Sequence, residues 1–209
     1  MAQEKNNKVV VVVFGGGPNS SDAPATEPRQ ALKAGDKVEG LGESDLANYE
    51  AQSIAQQIKN DFPEAKVILS GPNGINSISS ELVRDKPEHV LIYGYSMGGA
   101  SAVGLTNVLT NNGIKVDQLT TVDLPSFRDR LVISDPEIKN PRLVGSALNY
   151  IGALGKQVDG AENVPITPDM RERTSTPMKH RSMEDITAPF VVQRIESKLS
   201  QVLNKSRGR

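Results

Sequence analysis

Residues 90–99 read Val90-Leu91-Ile92-Tyr93-Gly94-Tyr95-Ser96-Met97-Gly98-Gly99. An apolar, strand-favouring run from Val90 to Tyr93 passes without a break into Gly94-Tyr95-Ser96-Met97-Gly98, and the small residues from Gly98 to Ala102 open a helix. The segment is predicted to be a strand, a tight turn and a helix, with Gly-x-Ser-x-Gly at the turn. Glycines flank the serine because a Cβ at either place would collide with the adjoining strand or helix. Such a turn lifts the Ser96 hydroxyl off the end of a sheet, and the helix aims its unpaired N–H groups at the same point. The bland alternative is a glycine-rich turn in which Ser96 merely caps the helix.

Around this stretch the pattern is strand and helix in alternation. Lys8 to Phe14 is a β-branched run with no polar alternation, as in a parallel strand buried on both faces, and it ends in Gly15-Gly16-Gly17-Pro18-Asn19-Ser20. From Ser20 to Gly42 the chain is rich in Pro, Gly, Ala and charge, an irregular insert at about residues 20–43. Ser44 is positioned to cap a helix carrying Leu46, Ala51, Ile54, Ala55 and Ile58, which Pro63 ends. Ala65 to Leu69 is a second buried strand and Ser77 to Val83 a short helix broken by Pro87. The helix from Gly98 to Thr110 stops at Asn111-Asn112-Gly113, and Leu119 to Val122 is the next strand. Strands are read at Leu143 to Ile151 and Ala161 to Ile166, loop from Thr167 to Glu184, and a final amphipathic helix capped by Thr187 with Val191, Ile195, Leu199 and Val202 on one face. Right-handed crossovers between parallel strands make this a three-layer, doubly wound α/β fold with a mostly parallel sheet. The expected organisation is one domain over residues 1–209 with a short polar tail at 204–209.

Composition removes several function classes. The chain has 209 residues with 24 basic and 25 acidic side chains and no dense basic stripe, so neither nucleic acid nor an anionic membrane surface is suggested as partner. The basic end from Lys205 to Arg209 reads as a solvated terminus. Without cysteine there is no disulfide framework, thiolate metal site or thiol nucleophile. The run from Val9 to Phe14 is too short for a secretory leader or a membrane span. The expectation is a soluble cytoplasmic protein with no integral membrane segment, with export by a route that uses no cleaved leader left open. Oligomeric state leaves no trace in the sequence.

A serine hydroxyl near neutral pH needs a base in contact, most often histidine. The chain has two. His89 begins the strand that ends at the turn, so it stands about 20 Å from Ser96 at the opposite edge of the sheet. His180, in the loop before the last helix, is the remaining candidate. Its histidine needs in turn a carboxylate. Asp123 ends the strand Thr120-Thr121-Val122-Asp123 at the same carboxyl edge as Ser96, while Asp159 and Asp169, close to the last strand, are the rivals. Asp117 lies at the wrong end of its strand.

The turn around Ser96 resembles the nucleophile elbow of the α/β-hydrolases, and the order Ser96, Asp123, His180 is the chain order of that superfamily. The resemblance runs from about Val9 to the last helix and is closest to small lipase- or esterase-like members. It departs from them in having no histidine before Gly15-Gly16-Gly17 and no family signature from Leu124 to Arg142. It implies a serine hydrolase that cleaves carboxylic esters through an acyl-enzyme, with small-molecule or lipid esters as substrates and no metal or cofactor. It implies that the Met97 amide and one of the Gly15, Gly16 or Gly17 amides form the oxyanion hole. Tyr95, Leu124 and Phe127 are expected beside the substrate. Two other functions compete. One is a nucleotide- or phosphate-binding module using the Gly15 to Ser20 loop, which Pro18 disfavours by removing an amide donor. The other is a binding protein that kept the fold without turnover.

Overall fold

The computed structural model describes residues 8–16, 30–32, 49–124, 136–152, 155–167, 170 and 183–207. Among the described residues seven strands form one sheet: β1 Val9–Phe14, β2 Gln30–Leu32, β3 Lys66–Ser70, β4 His89–Tyr95, β5 Gln118–Val122, β6 Ala147–Ile151 and β7 Glu162–Pro165. Their spatial order is β2-β3-β1-β4-β5-β6-β7. Six strands run parallel, and β2, at the edge of the sheet, alone pairs antiparallel, to β3. The α-helices whose bounds fall among the described residues are α1 Tyr49–Asp61, α2 Ile75–Asp85, α3 Met97–Asn111 and α4 Met183–Arg207.

The layering follows from side-chain alternation in β1. All six of its residues are buried. Val9, Val11 and Val13 face a cluster with Ala51, Ile54, Ala55 and Ile58 of α1 and with the apolar side of α4. Val10, Val12 and Phe14 face the other way, onto Ile78 and Leu82 of α2 and Ala102, Leu105 and Leu109 of α3. The period-2 strand thus feeds two cores, and helical spacing supplies a stripe for each.

Helix ends are closed by local chemistry. At the end of α1 the Lys59 ammonium, pushed down in pKa by burial although Glu64 opposes the shift, donates to the carbonyls of Pro63 (2.8 Å) and Ala65 (2.7 Å). α2 ends on Lys86 in the left-handed region (φ 44°), just before Pro87. α3 ends as its sequence predicts. Gly113 is left-handed (φ 74°), its N–H bonds Thr110 O, and the Ile114 N–H bonds Leu109 O, the paired pattern that satisfies the last carbonyls.

Several expected boundaries move. The insert at 20–43 contains strand β2, whose three residues carry no pattern that separates them from loop. Residues 141–143 are a 3-10 turn, and β6 begins only at Ala147. α4 begins at Met183, so Thr187 lies inside the helix and its hydroxyl bonds back to Met183 O (2.7 Å) in place of capping. The helix also continues to Arg207, through most of the expected 204–209 tail. Ser44 and Leu46 lie outside the described residues. Among the described residues, no helix is long and apolar enough to cross a membrane.

One topological feature positions the site. From β1 the chain goes to one side, through edge strand β2 and then α1 to β3, and passes back over β1 through α2 to β4. β1 and β4 are therefore neighbours whose outgoing connections leave in opposite directions, which opens a crevice between their carboxyl ends.

Candidate active site

The two loops that flank this crevice are Gly15-Gly16 after β1 and Ser96 after β4. Ser96 has φ 52° and ψ −123°, a left-handed backbone that side chains other than glycine rarely adopt. Its N–H still bonds Val122 O (2.9 Å), so the turn stays tied to β5 while the chain reverses into α3. The glycines explain how so sharp a reversal packs. A Cβ on Gly94 would lie 2.2 Å from Gly98 O, and one on Gly98 would lie 2.4 Å from Gly15 O and 2.7 Å from Phe14 O. The start of α3 is thereby pressed onto the backbone that leaves β1, which brings the Gly15-Gly16 loop against the serine turn.

Ser96 is not a capping serine. Its side chain makes no capping bond to α3, and its positive φ differs from the extended backbone of an ordinary N-cap. The Met97 N–H is the first amide of the helix and has no partner within it. The Met97 side chain, 37% exposed, is the large apolar side chain open to solvent among the described residues.

The structure separates the three expected loop donors. The Gly15 N–H bonds Ser70 O at 2.9 Å, because Gly15 continues the parallel ladder one residue past β1. It is spent and is withdrawn as an oxyanion donor. Gly16 follows it at the mouth of the crevice, and Gly17 lies outside the described residues. The same bond weakens the phosphate-loop alternative, which needs those amides turned toward one ligand. Moreover, the first described helix after β1 begins only at Tyr49, beyond β2.

Asp123 lies at the carboxyl end of β5, one strand from the serine turn. It too is left-handed (φ 46°), its N–H bonds Tyr150 O (2.8 Å), and it is fully buried. Its carboxyl carbon would be 2.9 Å from a Cβ on Gly152, and the sulfur of Met183 would be 2.6 Å from that same point. Gly152 therefore leaves room for the Asp123 carboxyl and the first residue of α4 together. Asp159, in contrast, is exposed and pairs through its backbone with Glu137. The Glu137 carbonyl is held by Asn107 (2.7 Å), about 16 Å along α3 from Ser96. Asp159 is withdrawn as a rival acid, while Asp169 and His180 lie outside the described residues.

His89 is at the amino edge of the sheet, with Nδ1 3.1 Å from Asp117 Oδ2, and Asp117 also accepts from the Val90 N–H. That pair ties β4 to β5 and is remote from Ser96. The expected substrate-lining residues fare less well. Tyr95 belongs to the core under α1 and α4, and Leu124 to the core under α2 and α3, each 1% exposed. Strand alternation and the turn after β5 direct them inward, so neither lines an open surface, and Phe127 lies outside the described residues. Among the described residues no group of acidic or histidine side chains is arranged to hold a metal ion.

One buried polar pair was invisible in the sequence. The Tyr93 hydroxyl donates to Glu184 Oε1 at 2.8 Å, with both residues buried. An acidic residue in a first helical turn is the ordinary preference there, so nothing in the sequence marks Glu184 as reaching the sheet. No protein-family model matches the chain, and no curated protein matches it.

Proposed function

We propose that the protein is a serine hydrolase that cleaves carboxylic esters. The reading is carried by one observation, the strained Ser96 between β4 and α3 with its side chain uncommitted to capping, at the crevice where β1 and β4 part. Strain of this kind is retained where the surrounding structure over-determines it, typically at a reacting group.

In this reading His180 takes the Ser96 hydroxyl proton as Oγ attacks the ester carbonyl. The Met97 amide and that of Gly16 or Gly17 hold the oxyanion, and collapse expels the alcohol with the proton returned from His180. Water, deprotonated by the same histidine, then releases the carboxylic acid and regenerates the serine. Asp123 orients the imidazole and stabilises its charged form. Connectivity supports the pairing of Asp123 with His180. Three Cα-to-Cα steps, a reach of about 10 Å, separate His180 from Met183, which shares the Gly152 surface with the Asp123 carboxyl.

The test is reaction with a fluorophosphonate probe, followed by turnover of a p-nitrophenyl ester, in the wild type and in Ser96→Ala and His180→Ala. Labelling and turnover are expected in the wild type and are expected to be lost in both variants. A folded wild type that neither labels nor turns over would leave only a binding role.

A further inference from the structure

α1 and α4 lie side by side over one face of the sheet, and a cleft of about 520 Å³ runs between them. Small-molecule sites are of this size, about 300–1,000 Å³. On α4 its wall is a stripe at three- and four-residue spacing, from Asp185 through Ala188 and Val192 to Glu196, and it faces Ser53 and Gln57 of α1. The cleft stays open because short side chains line it, Ser53 on one helix and Ala188 and Pro189 on the other.

Its two ends are acidic. Asp185 and Glu196 are eleven residues apart on one helix, about 16 Å along its axis. Between them the floor is apolar, with Ile54, Ala188 and Val192 all buried. Among the described residues no Lys, Arg or His lines the cleft, and neither Asp185 nor Glu196 has an ion-pair partner. Partial burial raises both carboxyls above their ordinary values, and at Glu196 the Gln57 hydrogen bond opposes the shift while Asp61 adds to it. Each end thus carries a carboxyl that has lost water without gaining a counter-charge. Pro189, moreover, has no N–H for the Asp185 carbonyl, which leaves that oxygen a further acceptor at the same end.

This pattern selects its occupant by charge and length. An anion would find no cation in the cleft. One metal ion cannot reach both ends, since its bonds to oxygen are only about 2.0–2.6 Å long. A wholly apolar molecule would cover the acidic ends without pairing them. A chain with cationic ends and methylene groups between them matches both the ends and the floor. We propose that the cleft between α1 and α4 binds a linear polyamine, with one terminal ammonium at Asp185, the other at Glu196, and its methylenes on Ile54, Ala188 and Val192. The site does not rest on the serine hydrolase reading.

The experiment is titration calorimetry of the full-length protein with spermine. Saturable binding of one spermine per chain is expected, weakening as salt is raised. n-Butylamine, with a single ammonium, should bind far more weakly. Asp185→Ala and Glu196→Ala should each weaken spermine binding about two- to fivefold, the effect of one partly exposed ion pair. The two losses should multiply in the double variant, because the ends are too far apart to share a partner. Ser53→Phe, which fills the cleft and leaves both carboxyls in place, should weaken binding as well. Asp159→Ala removes an exposed acid outside the cleft and should bind spermine as the wild type does. No saturable binding up to about 10 mM spermine would overturn the proposal. So would a double variant or Ser53→Phe that binds as tightly as the wild type, or an equal loss in Asp159→Ala, which would mark general attraction to an acidic surface. Melting temperatures check the fold of each variant. Should Glu196→Ala fail to fold, Asp185→Ala and Ser53→Phe decide.

Discussion

Ser96 holds its backbone at φ 52°, ψ −123°, a conformation that costs about 1–3 kcal/mol for a residue with a Cβ. Glycine escapes that cost but gives back about 0.4–1 kcal/mol through the greater freedom of the unfolded chain. The strain term is the larger, so Ser96→Gly is expected to melt about 2–4 °C above Ser96→Ala in a protein of this size, with both inactive. Equal melting temperatures would mean that the turn relaxes when the hydroxyl is gone. Asp123 makes a second left-handed turn (φ 46°), which asparagine also tolerates. Asp123→Asn should therefore keep the fold while turnover falls by about 10⁴-fold, because the amide favours the wrong imidazole tautomer. Turnover within a few-fold of wild type would remove Asp123 from the mechanism. At this scale the glycine spacing made the serine turn legible. The sequence held no sign that Ser70 consumes the Gly15 amide, since that bond depends on how far the β1–β3 ladder runs past its last strand residue.

Between elements, the seam of α1 and α4 carries a polar contact in which Gln57 Nε2 donates to Glu196 Oε1 at 3.1 Å. Burial raises the Glu196 carboxyl above its ordinary value, the Gln57 hydrogen bond works against that shift, and neighbouring Asp61 adds to it. A carboxyl that keeps its proton longer in the folded than in the unfolded chain withdraws stability as pH rises. Below the unfolded value both states are protonated and nothing is lost. Above the raised folded value the penalty is complete. Glu196→Gln keeps an acceptor for Gln57 and cannot ionise, so it is expected to melt above wild type at pH 7, with the difference closing as pH falls toward about 4. A difference that stays constant across that range would show that charge is not its source. Helices with a regular apolar stripe, such as Ala51, Ile54, Ala55 and Ile58 of α1, were readable from spacing alone. The start of α4 was not. Thr187 looks like a cap, yet it lies one turn inside, because Met183 and Glu184 find tertiary partners that extend the helix backward.

For the whole molecule, the parallel order of strands was legible because each crossover helix is separated from its strands by glycine or proline, and right-handed connection then leaves few arrangements. That the strands run mostly parallel followed from chain order, whereas where β1 and β4 meet, and hence where the crevice opens, did not. Neither did strand β2, since three residues at an edge have too little pattern to stand out from loop. The same order predicts how the fold comes apart. β1 is bracketed by β3 and β4, and β4 by β1 and β5, with helices over both faces. β7 pairs only with β6 among the described strands, and its four residues are partly or fully exposed. In native-state hydrogen exchange the amides of Val10 to Val13 and Leu91 to Tyr93 should therefore exchange only through global unfolding, with the full denaturant dependence. Those of Asn163 and Val164 should exchange through local opening, at a lower free energy and with little denaturant dependence. The strands that carry Gly16 and Ser96 are then the last to open, so the separation of the two loops persists for as long as the molecule is folded. Protection of β7 equal to that of β1 would instead mean that the sheet opens as a single unit, and the centre would hold no privilege over the edge.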